Sequence, residues 1–266
     1  MRALKPELTT LGNLLKFEFK KFFFGVSNGQ FSTCYPYARI VYSLGSSEAS
    51  FMIDGKQKVD LERGMWMLLP PFTEVRHHHA HHRQLSLHFS YSLLRGIEIL
   101  SVFSHIQYGY APELLEMIEQ MEPEEPFCFL NDAEIVVRTI LKKIMMFPEF
   151  SLRGEGDWKL LRYNRLTEYL HRHLSSKVTV ADMAKVMNMS AQVFARRFVA
   201  DTGMTPRKFN ENIVIEEAIK LLEAEELSIK EIAEQLHFSS EYYFSRFFKR
   251  SMNLPPGAFR KKRMLV

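Results

Sequence analysis

The sequence has few cysteines and no long apolar run. Cys34 and Cys128 are its two cysteines, and no C-x-x-C spacing relates them, which argues against a disulfide framework or a cysteine-based zinc site. No run approaches the roughly 18 apolar residues that a membrane-spanning helix requires. The N-terminus also lacks a basic segment followed by an apolar one, the pattern of a signal peptide. We therefore expect a cytoplasmic protein that does not enter a membrane.

The composition is that of a globular chain with an uneven charge. Apolar residues make up 46% of the 266 positions and charged residues 25%, enough to form ordinary cores, and the length favours two domains. Residues 162–263 carry 18 Lys and Arg against 12 Asp and Glu, whereas the remainder carries 17 against 19. A basic C-terminal third beside a near-neutral remainder is what a domain that binds a polyphosphate would produce.

The region from about 31 to 91 shows short strand-like runs separated by turns. The runs are ARIVYSLG, ASFMIDGKQKVDL, MWMLLPP and RQLSLHFSY. Asp54-Gly55 is a strong hairpin signal, because both central positions of a two-residue turn need positive φ. The pattern predicts an antiparallel barrel or sandwich.

After position 110 the apolar period becomes helical. Two amphipathic helices are predicted, at 112–122 and 132–147, with Asn131 or Asp132 as a cap of the second. The segment at 151–158 has two glycines and mixed charges without periodicity, which is typical of a linker. We predict an N-terminal barrel over 1–110, a helical pair and linker over 111–157, and an all-helical domain over 158–266.

The C-terminal third contains an imperfect internal repeat. DMAKVMNMSAQVFARRFVADTGMTPRKF (182–209) returns as EIAEQLHFSSEYYFSRFFKRSMNLPPGAF (231–259). Early positions recur at an offset of 49, including Ser190 as Ser239, and later positions recur at 50. We interpret the copies as two helix-turn-helix units, with the extra residue early in the second unit's last helix and Ser190 as a helix N-cap.

The last helix of each unit has one apolar face and one polar face. Phe194 and Phe198 are spaced for the core, as are Phe244 and Phe248. Arginine pairs bidentately with guanine, and glutamine pairs with adenine, so the opposite faces could read base edges in a major groove. The predicted base-reading residues are Gln192, Ala195 and Arg196, then Glu241, Tyr242, Ser245 and Arg246. Three further cations, together with the run RKKR at 260–263, suit phosphate contacts: Arg197, Lys249 and Arg250.

These residues resemble the DNA-binding domain of the AraC/XylS family of transcriptional regulators, above all over LSIKEIAEQLHFSSEYYFSRFFKRSMNLPPGAFRK (227–261). The resemblance implies that a long helix at about 207–223 joins two units whose reading helices enter successive major grooves. Where the family has glycine at turns, this chain has Asn188, His237 and Asn253, residue types that tolerate positive φ. The arginine common in the family's linker helix is Val214 here.

The N-terminal half resembles a cupin barrel that has lost its metal. GMWMLLPPFTEV (64–75) is similar to the second cupin motif, but the position of that motif's histidine is Val75, and no His-x-His precedes Gly64. We expect no metal and no cofactor, and we interpret HHHAHH (77–82) as a solvated loop, within which strand geometry would place His77 and His79 on one face. Inward-facing side chains of such a barrel would hold an effector; the candidates are Arg39, Tyr42, Trp66 and His88.

Together these patterns predict an α+β, two-domain transcriptional regulator rather than an enzyme. Its expected partners are double-stranded DNA, a small-molecule effector with sugars as one candidate class, RNA polymerase, and a second copy in a homodimer. Two alternatives stay open. The chain could be a ligand-independent DNA-binding protein whose barrel only dimerises, or a metal-dependent cupin enzyme supported by Gly64 and the histidines.

Overall fold

A computed structural model describes residues 15–45, 49–53, 57–93, 98–103, 105–146 and 162–263. The chain divides into two compact units. Of the described residues, those between 16 and 91 and between 98 and 146 belong to the N-terminal unit, and residues 162–263 belong to the C-terminal unit. The helical pair thus shares a compact unit with the strands, while the domain boundaries at 110 and 157 remain predictions. The predicted linker at 151–158 lies outside the described residues.

The N-terminal unit is built on one mainly antiparallel sheet. Its described strands are β1 Leu15–Thr33, β2 Ala38–Ser43, β3 Ala49–Ile53, β4 Gln57–Asp60, β5 Met65–Leu69, β6 Val75–Leu93 and β7 Gln107–Tyr110. The order is β4-β3-β6-β2-β5-β7, and β1 pairs with β6. β3 and β4 pair with Ile53 opposite Gln57, as expected for the hairpin, whose turn at 54–56 lies outside the described residues. Most of β1 precedes the region in which strands were predicted.

Strand β6 joins the two parts of the sheet. Its first part, from Val75 to His79, pairs with β3, and its second part, from Gln84 to Phe89, pairs with β2. Between them His81 has a φ of 52°, and Ala80 and His81 are both exposed. One added residue of this kind interrupts the alternation of a strand and bends it. The prediction that residues 77–82 form a solvated loop is therefore wrong.

The sheet curls around a core on one of its faces. Buried side chains from five strands, β2 to β6, form a single cluster with Leu61 and Ile106, which lie just outside strands; the strand residues are Val41, Ala49, Phe51, Val59, Met65, Met67, Leu69 and Val75. Val59 on β4 and Met67 on β5 are far apart in the strand order, so their shared cluster requires a curled sheet. This is the architecture that the strand pattern predicted, and we call the concave side the interior face.

Among the described residues, two helices follow the sheet, preceded by the single 3₁₀ turns Ile99–Val102 and Pro112–Leu114. They are α1 Leu115–Glu119 and α2 Pro126–Ile144. α2 begins earlier than predicted, because Pro126 occupies its first turn, where a missing N–H has no cost. Asn131 and Asp132 lie inside α2 and do not cap it. Most of the predicted apolar stripe of α2 is buried within the unit, including Val136, Ile140 and Ile144.

The described part of the C-terminal unit is entirely helical. Its helices are α3 Asn164–Arg172, α4 Val180–Val186, α5 Ala191–Thr202, α6 Pro206–Ala224, α7 Ile229–Gln235, α8 Glu241–Met252 and α9 Pro256–Arg263. The first half of this unit, from α3 to the start of α6, shares one continuous core. Its buried residues are Tyr163, Leu166, Leu170, Met183, Ala184, Phe194, Phe198, Phe209 and Ile213. α6 therefore packs on the first helix-turn-helix unit through Phe209 and Ile213. None of the described helices is long and apolar enough to cross a membrane.

Candidate nucleic-acid interface and ligand site

The first helix of each helix-turn-helix unit begins with a capping box. Thr179 accepts a hydrogen bond from the backbone N–H of Asp182, and the Asp182 carboxylate accepts one in return from the N–H of Thr179. Ser228 and Glu231 form the same capping box at the start of α7. Each box satisfies two backbone donors of a short helix. The pKa of each carboxyl group is lowered, first by a hydrogen bond from the hydroxyl of the capping residue and then by the one from its backbone N–H. The N-termini of the supporting helices α4 and α7 are thus stabilised by the same kind of hydrogen bonds.

Left-handed residues form the turns of the units, as the sequence predicted. Asn188 has a φ of 53° and His237 a φ of 58°. The following backbone N–H groups, of Met189 and Phe238, each donate to the carbonyl of the alanine five residues earlier at 2.9 Å. Ala184 and Ala233 are both buried, which lets the two helices of each unit approach closely. The turns therefore survive without glycine.

The reading helices α5 and α8 begin at equivalent positions and have equal lengths. Ser190 caps α5 and Ser240 caps α8, so the caps are 50 residues apart, whereas the turn residues Asn188 and His237 are 49 apart. The extra residue, Ser239, therefore lies in the turn. The interpretation that Ser239 is the second cap and that the insertion falls within the helix is wrong. Gln192 consequently corresponds to Tyr242, and Arg196 to Arg246.

The predicted base-reading residues are exposed or half-buried in both reading helices. The phenylalanines Phe194, Phe198, Phe244 and Phe248 are fully buried. Gln192 and Arg196 are exposed and Ala195 is half-buried; in α8, Glu241, Tyr242 and Arg246 are exposed and Ser245 is half-buried. The Arg246 guanidinium lies 5.8 Å from the Tyr242 ring. Within the described residues, neither Arg196 nor Arg246 forms a salt bridge, so both are free to contact a duplex.

The predicted phosphate-contacting cations differ in their surroundings. Arg197 lies 3.9 Å from the Asp201 carboxylate, which also accepts a hydrogen bond from Tyr163 at 2.7 Å. Arg250 reaches from α8 to Glu211 on α6 at 3.1 Å, and Glu211 also pairs with Arg207 at 3.3 Å. Lys249 is exposed. The structure thus leaves Lys249 most available and holds Arg250 beside an acid.

A cleft of about 1180 Å³ lies between the start of α4 and the reading helix α8. The lining includes Val178 and Thr179 at the start of α4, Asn210 and Val214 on α6, and Tyr243 on α8. Five cations also line it: Lys177, Arg207, Arg246, Lys249 and Arg250. Lys177, Arg207 and Tyr243 were not among the residues predicted from the sequence to contact DNA. The position of Lys177 just before a capping box is the signal that could have found it.

The four candidate effector residues fall on opposite faces of the curled sheet. Arg39 on β2 lies opposite His88 on β6, and both belong to the interior face with Val41 and Met67. Tyr42 lies opposite Trp66 on the other face, where its hydroxyl donates to the carbonyl of Ala111 at 2.7 Å. The structure therefore brings Arg39 and His88 together and separates them from Tyr42 and Trp66, whose ligand role stays a prediction.

Histidines from the run extend the polar part of the interior face. His77 and His79 are buried, as their predicted alternation requires, and so is His82. The ring centroids of His77 and His79 are 5.5 Å apart, and those of His79 and His82 are 6.0 Å apart. Burial is the main cause that lowers the pKa of His79 to about 4. No group of three His, Cys, Asp or Glu within the described ranges is arranged to hold a metal ion.

A helix-turn-helix domain family matches residues 183–262. The chain is 32% identical to the MmsAB operon regulatory protein of Pseudomonas aeruginosa over 97 residues, covering 36% of this chain and 32% of that protein. It is 24% identical to the transcriptional activator RhaS of Escherichia coli over 158 residues, covering 59% of this chain and 57% of that protein. It therefore spans from about a third to just over half the length of these relatives.

The fold of the chain is that of a solved regulator. ToxT from Vibrio cholerae, in a crystal structure with a bound unsaturated fatty acid, matches with a TM-score of 0.54 at 14% identity, over 91% of this chain and 96% of that one. The likeness concerns the fold, in which a curled N-terminal sheet is followed by two helix-turn-helix units. The matched domain and the relatives make the C-terminal unit similar to the helix-turn-helix domains of transcriptional regulators, which agrees with its resemblance to the AraC/XylS family. The relatives are named as regulators, which agrees with the prediction of a protein that is not an enzyme.

Proposed function

We propose that this protein binds specific DNA sequences through α5 and α8 and regulates transcription in response to a small molecule held by its N-terminal sheet. The observation that carries the proposal is the equivalence of Arg196 and Arg246. Each arginine lies six residues after a serine cap, between two buried phenylalanines, and is exposed. A helix that presents arginine in this way suits the donor and acceptor pattern of the major groove.

The cleft between the two helix-turn-helix units supports a second part of the proposed DNA contact. DNA read in two successive major grooves must carry its backbone past the protein between the two reading helices. The cleft offers exposed Lys177, Arg207 and Lys249 at that place. We assign these cations to phosphate contacts, which hold the register of the protein on the duplex and make binding depend on salt.

Effector binding is proposed for the interior face of the sheet. Arg39 and His88 share this face and are buried, and the ToxT fold is known to hold a fatty acid, which supports a small-molecule site in the same fold. Sugars remain a second candidate class. The effector would shift an equilibrium between states of the protein by no more than its difference in affinity for them.

Homodimerisation and contact with RNA polymerase remain proposals. The apolar stripe of α2 is mostly buried in its own unit, and the exposed apolar residues of this helix are Phe127, Leu130 and Ile135. A pair of regulators on adjacent sites would gain affinity from their linkage. Sedimentation of the full chain at micromolar concentration tests the dimer directly.

The decisive experiment is a salt-dependent binding assay of the full chain. Duplexes from the regions upstream of its own gene and of neighbouring genes are compared with scrambled duplexes, and fluorescence anisotropy is recorded at several salt concentrations. We expect at least one natural duplex to bind more tightly than its scrambled version at every salt concentration. Equal binding of all duplexes would contradict a sequence-specific regulator and would favour the alternative of a ligand-independent architectural protein.

A further inference from the structure

The interior face of the curled sheet carries a buried cation without a paired anion. Arg39 is 2% exposed, and no carboxylate among the described residues forms a salt bridge with it. The carboxylate of Glu98, the one buried acid among the described residues, accepts hydrogen bonds from the Ser90 hydroxyl and the Tyr91 N–H instead. An uncompensated buried charge is costly, and burial accordingly lowers the pKa of Arg39.

The hydrogen bonds of Arg39 use only one part of the guanidinium. Nη1 donates to the Thr33 hydroxyl at 2.5 Å, and that hydroxyl pairs with Nε2 of His77 at 2.7 Å. Thr33 satisfies both neighbours when it accepts from Arg39 and donates to a neutral imidazole. Nε and Nη2 have no hydrogen-bond partner within the described chain. Those two atoms form one edge of the guanidinium, whose parallel N–H groups match the two oxygens of a carboxylate.

Two histidines of the interior face are neutral near pH 7. His88 lies opposite Arg39 in the sheet, and burial, with the nearby Arg39 charge, lowers its pKa well below the ordinary value. His79 is also held neutral near pH 7, as its pKa of about 4 requires. The net charge of the buried polar cluster formed by Arg39, His77, His79 and His88 is therefore positive. Such a cluster favours an anion over a neutral sugar.

The same face supplies further polar atoms and an apolar surround. Both ring nitrogens of His79, Oε1 of Gln84 and Oγ of Ser43 are buried and have no hydrogen-bond partner in the described residues. Buried polar atoms are rarely left without one. Val41 and Leu69 neighbour Arg39 on its own strand and on β5, and both belong to the interior core. A bound molecule would thus meet one cation, several neutral polar atoms and aliphatic side chains.

We infer that the interior face binds an organic carboxylate, whose two oxygens accept hydrogen bonds from Nε and Nη2 of Arg39. This inference rests on the proposed role of the sheet as the effector site and narrows its ligand class from small molecules in general to carboxylic acids. His79, Gln84 and Ser43 hold polar substituents of the ligand. Thr33 positions Arg39 through Nη1.

The test uses acetate as the smallest carboxylate probe and needs no variant. The melting temperature of the full chain is measured at pH 7.5 in sodium acetate, in sodium chloride at the same ionic strength, and in acetamide at the same concentration. Benzoate with benzamide and hexanoate with hexanamide extend the series. A ligand that binds the folded state raises the melting temperature with its concentration. We expect the carboxylates to stabilise the protein beyond chloride and at least one to bind tenfold or more tightly than its amide in calorimetry.

Variants then assign the effect to Arg39. Arg39→Gln should abolish the response to carboxylates, and Arg39→Lys should retain part of it, because lysine keeps the charge without the two-pronged edge. Arg39→Met should lose the response while the free protein melts no lower than wild type, because the unpaired buried charge is gone. A merely structural arginine would instead lower the melting temperature. The matched control is Arg138→Gln, an exposed arginine of the same unit that pairs with Glu134.

Three results would overturn the inference. They are acetate and its homologues stabilising no more than chloride, amides binding as tightly as acids, and Arg39→Gln responding to carboxylates like the wild type. Binding of a sugar with no response to acids would contradict the carboxylate as the ligand class, while the proposal of an effector site would still stand. Loss of sequence-specific DNA binding is measured separately, so failure of the proposed regulator and failure of this inference are distinguishable.

Discussion

Ser190 and Ser240 cap the two reading helices 50 residues apart, although the turns that precede them are 49 residues apart. Each hydroxyl accepts a hydrogen bond from the backbone N–H three residues later. Both helices are 12 residues long, and each is followed by a left-handed residue, Gly203 or Asn253. The additional turn residue therefore leaves the register of the second helix unchanged, and differences in base preference must come from side chains.

Arg196→Ala and Arg246→Ala are each expected to relax specificity at one position of the DNA site by about 1–3 kcal/mol, since each would remove one bidentate base contact. The measurement is anisotropy on a set of duplexes with single base-pair changes. Lys249→Ala is the matched control; loss of a phosphate contact should weaken all duplexes alike and flatten the salt dependence. Unchanged preference in both arginine variants would contradict the assignment of α5 and α8.

Glu211→Gln should strengthen binding to every duplex. The Glu211 carboxylate lies 3.1 Å from Arg250 and 3.3 Å from Arg207, so it neutralises cations that line the cleft. Its removal adds one positive charge to the surface and should steepen the slope of log affinity against log salt by about one unit. Glu168→Gln, which removes an exposed acid paired with Arg172 on α3, should leave the slope unchanged. A Glu211 variant with weaker binding would show that its main role is to orient Arg250.

His237→Gly should raise the stability of the second unit by about 1 kcal/mol, because His237 has a φ of 58° and left-handed backbone is strained for a residue with a Cβ. Amide hydrogen exchange in α7 and α8 of the full chain measures the local effect. Asn188→Gly should gain less, since asparagine tolerates this conformation better than most residues. Gly203→Ala, at a φ of 73°, is the converse control and should destabilise α5.

Glu98 should make the stability of the N-terminal unit fall as the pH rises. Burial is the main cause that raises its pKa from 4.5 to about 7, so the folded state holds more protons than the unfolded state between these values. The stabilisation that follows is fully present below about pH 4.5 and is lost as the pH rises through 7. Between pH 5 and pH 8 the free energy of unfolding of the wild type should fall by an amount on the order of 2–3 kcal/mol, and this fall should be absent in Glu98→Gln.

Denaturant unfolding of both proteins at the two pH values measures this difference. The glutamine can keep the hydrogen bond from the Tyr91 N–H and pair with the Ser90 hydroxyl, so the geometry of the site is preserved. Glu122→Gln, at an exposed position of the same unit, should leave the pH dependence as it is. An identical slope in wild type and Glu98→Gln would place the titrating group elsewhere.

The C-terminal unit was largely predictable because its signals are local. Serine caps, the i, i+4 phenylalanine pairs and the asparagine and histidine turns each depend on residues within one or two helical turns. The position of the added residue was not predictable, because Ser239 and Ser240 are both good N-caps and only the backbone decides between them. The Arg250–Glu211 pair joins residues 39 positions apart, which no local pattern reveals.

The N-terminal unit was harder because its chemistry depends on strand pairing. The alternation of β2 and β5 is hidden, since both faces of these strands are buried, and the sequence could not assign Arg39 and Tyr42 to opposite faces. The histidine run looked like a surface segment because its residues are polar. Its alternating burial is set by pairing with β3, which carries Phe51 opposite His77.

A tract such as HHHAHH resembles the simple repeats that gain and lose units readily during replication of a gene, and its exact size would ordinarily have little importance. Here the residue count between Val75 and Gln84 sets the bend of β6, because Ala80 and His81 together occupy outward positions. Removing one residue would leave a strand of regular alternation that keeps Val75 and His88 on the interior face but loses the bend at His81. The length of this tract therefore determines how β6 passes from its pairing with β3 to its pairing with β2.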